Sequence, residues 1–113
     1  MSTEIGKRAE AAAAAYLQQH DFTLLAKNWR TRWCEIDVIA QRRRTIYFVE
    51  VKYRHNNLYG AGLDYITAKK LQQMHFAAEM WLHSNGSANL DYRLGAIEVS
   101  GVDYTVTQWL DDL

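Results

Sequence analysis

Proline is absent from the 113 residues and cysteine occurs once, at Cys34. Without proline, helix ends must be read from capping residues and hydrophobic spacing alone. A single cysteine excludes an internal disulfide and any metal site built on paired cysteines. Net charge is lacking too: 13 basic residues balance 13 acidic ones, so the molecule as a whole exerts no attraction on nucleic acid. No apolar run approaches the ~20 residues of a membrane-spanning helix. The opening MSTEIGKRAE lacks the apolar segment of a signal peptide, so a cytoplasmic protein with no membrane partner is expected. No internal repeat, linker or low-complexity tract beyond an alanine run divides the chain. Its length suits a single domain over residues 1–113 with one core.

What is present concentrates in WCEIDVIAQRRRTIYFVEVK, Trp33 to Lys52. Two strongly apolar runs, IDVIA and IYFVEV, flank a basic turn, and the pattern predicts a β-hairpin with Arg42 to Thr45 as a four-residue loop. Alternation places Glu35 and Asp37 on one side of the first strand and Ile36 and Val38 on the other. The hairpin register sets Asp37 opposite Glu50 and Glu35 opposite Lys52. Three carboxylates and one amine then share a face. Ordinary cross-strand ion pairs on a solvated surface are one explanation. The excess of carboxylates over amine, in strands whose other face must be buried, favours a divalent cation between them. Mg²⁺ prefers oxygen ligands, and a neighbouring Lys52 would orient water or stabilise a phosphoryl group.

Charge is unevenly spread along the chain. Residues 27–54 hold eight basic and three acidic side chains, whereas 91–113 hold one basic and five acidic. Such polarity suits a phosphate-facing side, and it also suits plain solubility. Arg30 is expected either to contact phosphate or to pair with a hairpin carboxylate. Trp29 and Trp33 would stack on unpaired bases or serve as core. Arg54 and His55 are candidate phosphate contacts at the end of the Glu50/Lys52 strand, with no cue for His55 as a metal ligand.

The remaining elements follow from capping and periodicity. Ser2 or Thr3 caps a helix to about His20 with Ile5, Ala9, Ala12, Ala13, Tyr16 and Leu17 facing inward. Phe22 to Asn28 reads as a strand. A Gly- and Asn-rich stretch, YRHNNLYGAGLDYI, reads as a loop. A second helix starts at Asp64 or Thr67 and runs to about His83, burying Leu71, Met74, Ala78 and Trp81. Tyr92 to Val99 and Tyr104 to Trp109 read as closing strands. The order predicts an α/β domain with a mixed five-stranded sheet flanked by helices.

Asp37 followed at distance by Glu50-Val51-Lys52 resembles the D-x(n)-E-x-K signature of the PD-(D/E)XK nuclease superfamily. NWRTRWCEIDVIA and FVEVKYR, with Gly6 to Glu10, Ala13 and Tyr16-Leu17, closely resemble the YraN-like family of uncharacterised bacterial proteins, related to archaeal Holliday-junction resolvases. The resemblance spans Gly6 to Trp109. It implies a restriction-endonuclease-like (tRNA-endonuclease-like) core and a Mg²⁺- or Mn²⁺-dependent endonuclease acting on DNA, branched or otherwise structured. By the same resemblance Asp37, Glu50 and the Val51 carbonyl would hold the metal and Glu10 would complete the acidic shell. Lys52 would be catalytic and Glu35 an outer ligand or partner of Lys52. Arg30, Arg54 and Lys70, with Arg42, Arg43 and Arg44, would meet nucleic acid. No small-molecule cofactor is implied, and a homodimer is. The sequence departs from the family pattern at Gln73, where arginine is usual, at Cys34 in place of glycine, and at Gly95, where an acidic residue is usual. The alternative is a non-catalytic nucleic-acid-binding or adaptor protein that keeps the fold, since fold alone does not fix activity. A third reading, a protein-interaction module using exposed tryptophans, needs neither metal nor DNA.

Overall fold

The structure, a computed structural model, describes residues 3–55 and 66–113. Ser2, Asp64 as a helix start, and most of the expected Gly/Asn-rich loop lie outside the described residues. The first helix, α1, spans Glu4–Gln19, and the Thr3 hydroxyl caps it by accepting from the Gly6 N–H. Ala9, Ala13, Ala14 and Leu17 form its buried stripe, whereas Ile5, expected inside, is 49% exposed because it precedes the first turn that touches the sheet. The second helix, α2, spans Ala68–Ser84, with Thr67 as its N-cap and Asn85 as its C-cap. Met74, Ala77, Ala78, Trp81 and Leu82 face inward.

Five strands, β1 (Thr23–Arg30), β2 (Glu35–Arg42), β3 (Thr45–Arg54), β4 (Asp91–Ser100) and β5 (Thr105–Leu110), form one mixed sheet in that spatial order. The first three make an antiparallel meander, α2 crosses over to a parallel β3–β4 pair, and β5 returns antiparallel. A parallel pair needs such a crossover, and it leaves β3 central and covered on both faces. Ala9, Ala13 and Leu17 of α1 pack with Val38, Ala40, Tyr47, Val49, Ile97 and Val99 on one side. On the other, Met74, Ala78 and Trp81 of α2 pack with Ile36, Ile39, Ile46, Phe48 and Leu94. The protein is thus a three-layer α/β sandwich, as the element order predicts.

The β2–β3 register is the expected one from Val38 opposite Val49 to Arg42 opposite Thr45, but the ladder ends there, so the expected Asp37–Glu50 and Glu35–Lys52 pairs are not part of it. Because Arg42 and Thr45 pair, the loop is a two-residue turn at Arg43-Arg44, tighter than the expected four, and Arg43 takes φ 59° to close it. The expected shared face of Ile36 and Val38 does not hold. Ile36 packs toward α2 with Ile39, and Val38 packs toward α1. The alternation therefore breaks at Asp37, opposite the place in β1 where Asn28 adopts a left-handed φ of 53°. Asparagine tolerates that conformation better than most residues.

Gly95 departs from the family pattern for a packing reason. A Cβ there would lie 2.8 Å from the Trp109 ring and 3.0 Å from the Leu110 carbonyl. No larger side chain, acidic or otherwise, fits beneath that indole.

A candidate acidic site on the central hairpin

The site begins with the break at Asp37. The regular β2–β3 pairs run as far as Val38 with Val49. Beyond them the Asp37 side chain substitutes for a backbone acceptor: the Val51 N–H donates to Asp37 Oδ2 at 2.8 Å. That bond draws the carboxyl into the seam between the strands, where Asp37 is only 8% exposed. Glu50, one residue before Val51, is its charged neighbour. Burial, followed by the charge of Glu50, pushes the Asp37 carboxyl up to about 8, against an opposing pull from the Val51 N–H. A neighbouring negative charge raises the cost of ionising Asp37, and a cation beside the two acids lowers it.

Glu10 joins from α1. Its carboxyl is raised chiefly by burial, with smaller contributions from Glu35 and Glu50, while a hydrogen bond to Asn28 pulls the other way. Asn28 therefore lies opposite Asp37 and also beside the helix carboxylate. Nothing in sequence spacing marks Asn28 for either place, since a left-handed φ is visible only in the folded backbone. Lys70 of α2, expected to meet nucleic acid, reaches the acidic site, with Nζ 3.4 Å from Glu50 Oε2. Glu50, Asp37 and Glu35 raise the neighbouring Cys34 thiol and Lys70 lowers it, though burial is the largest cause of its upward shift. Cys34 is thus a core residue beside the site.

The other expected site residues separate into near and far. Glu35 lies beside the acids but pairs with Arg30, Arg30 Nη2 to Glu35 Oε2 at 2.9 Å, which realises the ion-pair alternative for Arg30. Lys52 lies on β3 two residues beyond Glu50, exposed, with Glu98 as its backbone neighbour on β4. Arg54 is drawn to the buried Glu98 carboxylate, Nε 3.5 Å from Oε2. Arg42, Arg43 and Arg44 sit at the opposite end of the hairpin. Five residues of strand separate Arg42 from Asp37, about 17 Å at ~3.4 Å per residue. The Arg42 guanidinium lies 4.3 Å from the Phe22 ring centre, a cation–π contact that uses it structurally. The basic turn does not bracket the acids in space as it does in sequence. Trp29 is partly buried against the α2-side core, while Trp33 is 57% exposed.

Among the described residues no group of three or more His, Cys, Asp or Glu side chains is close enough to hold a metal ion. The donor set is the pair Asp37 and Glu50. One or two protein carboxylates, with waters and a substrate phosphate, is a usual ligand set for Mg²⁺, so the pair fits that ion. No helix among the described residues is long and apolar enough to cross a membrane.

Architecture and site together describe an α/β domain that carries a buried Asp37 carboxyl beside a half-buried Glu50 on its central hairpin. The chain belongs to the uncharacterised protein family UPF0102, whose model matches residues 9–99. It is similar to a UPF0102 protein of Vibrio parahaemolyticus, 37% identical over 97 residues that cover 85% of this chain and 80% of the relative. A Neisseria meningitidis relative is 40% identical over 96 residues, covering 85% and 84%. One from Hahella chejuensis is 32% identical over 111 residues, covering 98% and 90%. The expected YraN-like membership is therefore correct.

Proposed function

We propose that this domain is a restriction-endonuclease-like, PD-(D/E)XK-type nuclease, related to junction resolvases, that hydrolyses phosphodiester bonds in branched or otherwise structured DNA in the cytoplasm. The observation that carries the reading is the buried Asp37 carboxyl, fixed by the Val51 N–H beside the half-buried carboxyl of Glu50. A buried acid beside a second carboxyl is poorly suited to stability, and it becomes reasonable if a divalent cation is held there. Mg²⁺ or Mn²⁺, when bound, would supply Lewis-acid stabilisation of charge on phosphate oxygens.

Asp37 and Glu50 would hold the ion together with the Val51 carbonyl. In an antiparallel pair a residue's N–H and C=O face the same strand edge, so the amide that bonds Asp37 brings its carbonyl to the same seam. Glu10 and Glu35 deepen the negative potential around that seam. Lys52 Nζ would hydrogen-bond the attacking water and orient it toward phosphorus. Arg30 and Arg54, each paired with a carboxylate, would exchange part of that pairing for phosphate. Arg42, Arg43 and Arg44, at the far end of the hairpin, would contact backbone well away from the scissile bond.

The Lys70–Glu50 pair favours a second reading, in which Lys70 permanently neutralises the acids and the protein binds nucleic acid without cleaving it. Incubation of purified protein with four-way junction, flap and single-stranded DNA, plus Mg²⁺ or Mn²⁺, separates the two. Cleavage lost in Asp37→Ala and Glu50→Ala is expected. Cleavage that persists in both variants, or salt-dependent binding with no cleavage of any substrate, overturns the nuclease assignment.

A further inference from the structure

Away from the carboxyls, one patch of surface joins aromatic area with positive charge. Trp33 is 57% exposed and Phe76 50%, and their rings meet edge to face at 5.5 Å. Trp33, Lys69, Gln72, Gln73 and Phe76 line a hollow of about 420 Å³, with no acidic side chain among the described residues that line it. Arg32 lies over the Trp33 ring at 5.6 Å. Burying a ring of this size is normally favourable, so two of them left half in water form a surface with something to gain from contact.

We infer that this hollow is a stacking platform for an unpaired nucleobase of single-stranded nucleic acid, with Arg32 and Lys69 on the adjoining phosphates. The inference rests on the nuclease reading for its meaning and deepens it by naming the substrate feature recognised. Charge complementarity selects this occupant. Basic groups beside flat aromatic faces, with two side-chain amides able to meet a base edge, is the arrangement that single strands use. A second copy of this chain would instead bring the same Arg32 and Lys69 against themselves.

Position also suits the role. Lys69 immediately precedes Lys70, whose ammonium reaches Glu50, and Trp33 lies four residues before Asp37 in the strand entry. Trp33 sits in the bend just ahead of β2, closed by the Thr31 N–H donating to the Cys34 carbonyl at 2.7 Å. A duplex whose bases remain paired offers no face to it, so the inference restricts the substrate to nucleic acid with an unpaired stretch beside the cut.

The test is fluorescence anisotropy of a labelled 20-nucleotide thymidine oligomer, and of a 20-base-pair duplex, titrated with full-length protein in EDTA. Without metal, binding is read independently of cleavage. Trp33→Ala and Phe76→Ala should each weaken oligomer binding by about 5- to 150-fold, the effect of losing one stacked base at ~1–3 kcal/mol. Trp33→Phe should retain most of the affinity, and the duplex should bind more weakly than the oligomer. Cleavage is assayed separately on wild type with Mg²⁺, so failed cleavage and failed stacking are separate outcomes. Both rings are exposed, and unchanged thermal melting of the alanine variants confirms that folding is intact. Oligomer affinity unchanged in both alanine variants overturns the inference. So does loss of a concentration-dependent dimer in those variants with no oligomer binding by wild type, which would assign the patch to self-association.

Discussion

Replacing Asp37 by asparagine isolates the energetic consequence of the buried acid. The Asp37 carboxyl stands at about 8 in the folded protein against 3.8 for an ordinary aspartate. Between those values the folded state holds a proton that the unfolded state has released, so stability falls as pH rises from about 4 through 8. This sign is opposite to that of a salt-bridged aspartate. At ~1.36 kcal/mol per unit the full shift corresponds to on the order of 5 kcal/mol. Because Glu50 shares the titration, about 2–4 kcal/mol should be lost between pH 5 and pH 8.5 in the absence of metal. The asparagine side chain keeps the shape of the neutral acid: its carbonyl can accept the Val51 N–H and its amide can donate to Glu50. The variant should match wild type at pH 5 and exceed it at pH 8.5, by roughly 10 °C in Tm at ~4 °C per kcal/mol. Thermal and urea unfolding in EDTA at both pH values provide the assay. Wild-type stability that stays flat over this range, or an asparagine variant less stable than wild type at pH 8.5, would refute the reasoning.

Lys70→Ala removes the ammonium 3.4 Å from Glu50 and should cost ~1 kcal/mol at pH 8.5 and little at pH 4, with the loss suppressed when Glu50→Gln is also present, as a double-mutant cycle in urea would show. Gly95→Ala drives a methyl to 2.8 Å from the Trp109 ring and should destabilise by ~1–3 kcal/mol, partly recovered by Trp109→Leu. Phe48 is fully buried between the Trp81 and Tyr92 rings, so Phe48→Ala should cost ~3–5 kcal/mol in urea unfolding at any pH.

Sequence reasoning succeeded where local chemistry decides the outcome. Thr3 and Thr67 are good caps at helical starts, and both cap. The apolar runs of β2 and β3 have one register that buries them, and Val38 meets Val49 as that register requires. Failure came where distant chain segments act on one another. Ile36 and Val38 point apart across from Asn28, a left-handed residue on another strand. Lys70 answers to Glu50 across the helix–sheet interface, a contact invisible to any spacing rule. Arg42, Arg43 and Arg44 adjoin the acidic motif along the chain yet stand a strand's length from it, because a hairpin separates its turn from its open end.

The crossover that makes β3 central also sets a hazard during synthesis. Thr45 has Asp91 as its partner on β4, so the outer margin of β3 stays uncovered until that later segment leaves the ribosome, roughly 2–9 s afterwards at ~5–20 residues per second. During that interval a nascent meander presents Ile46, Phe48 and Val49 on an open strand edge, the template on which chains aggregate. Truncation ahead of Asp91 would make the interval permanent, and an insoluble product is the expected fate of such a fragment.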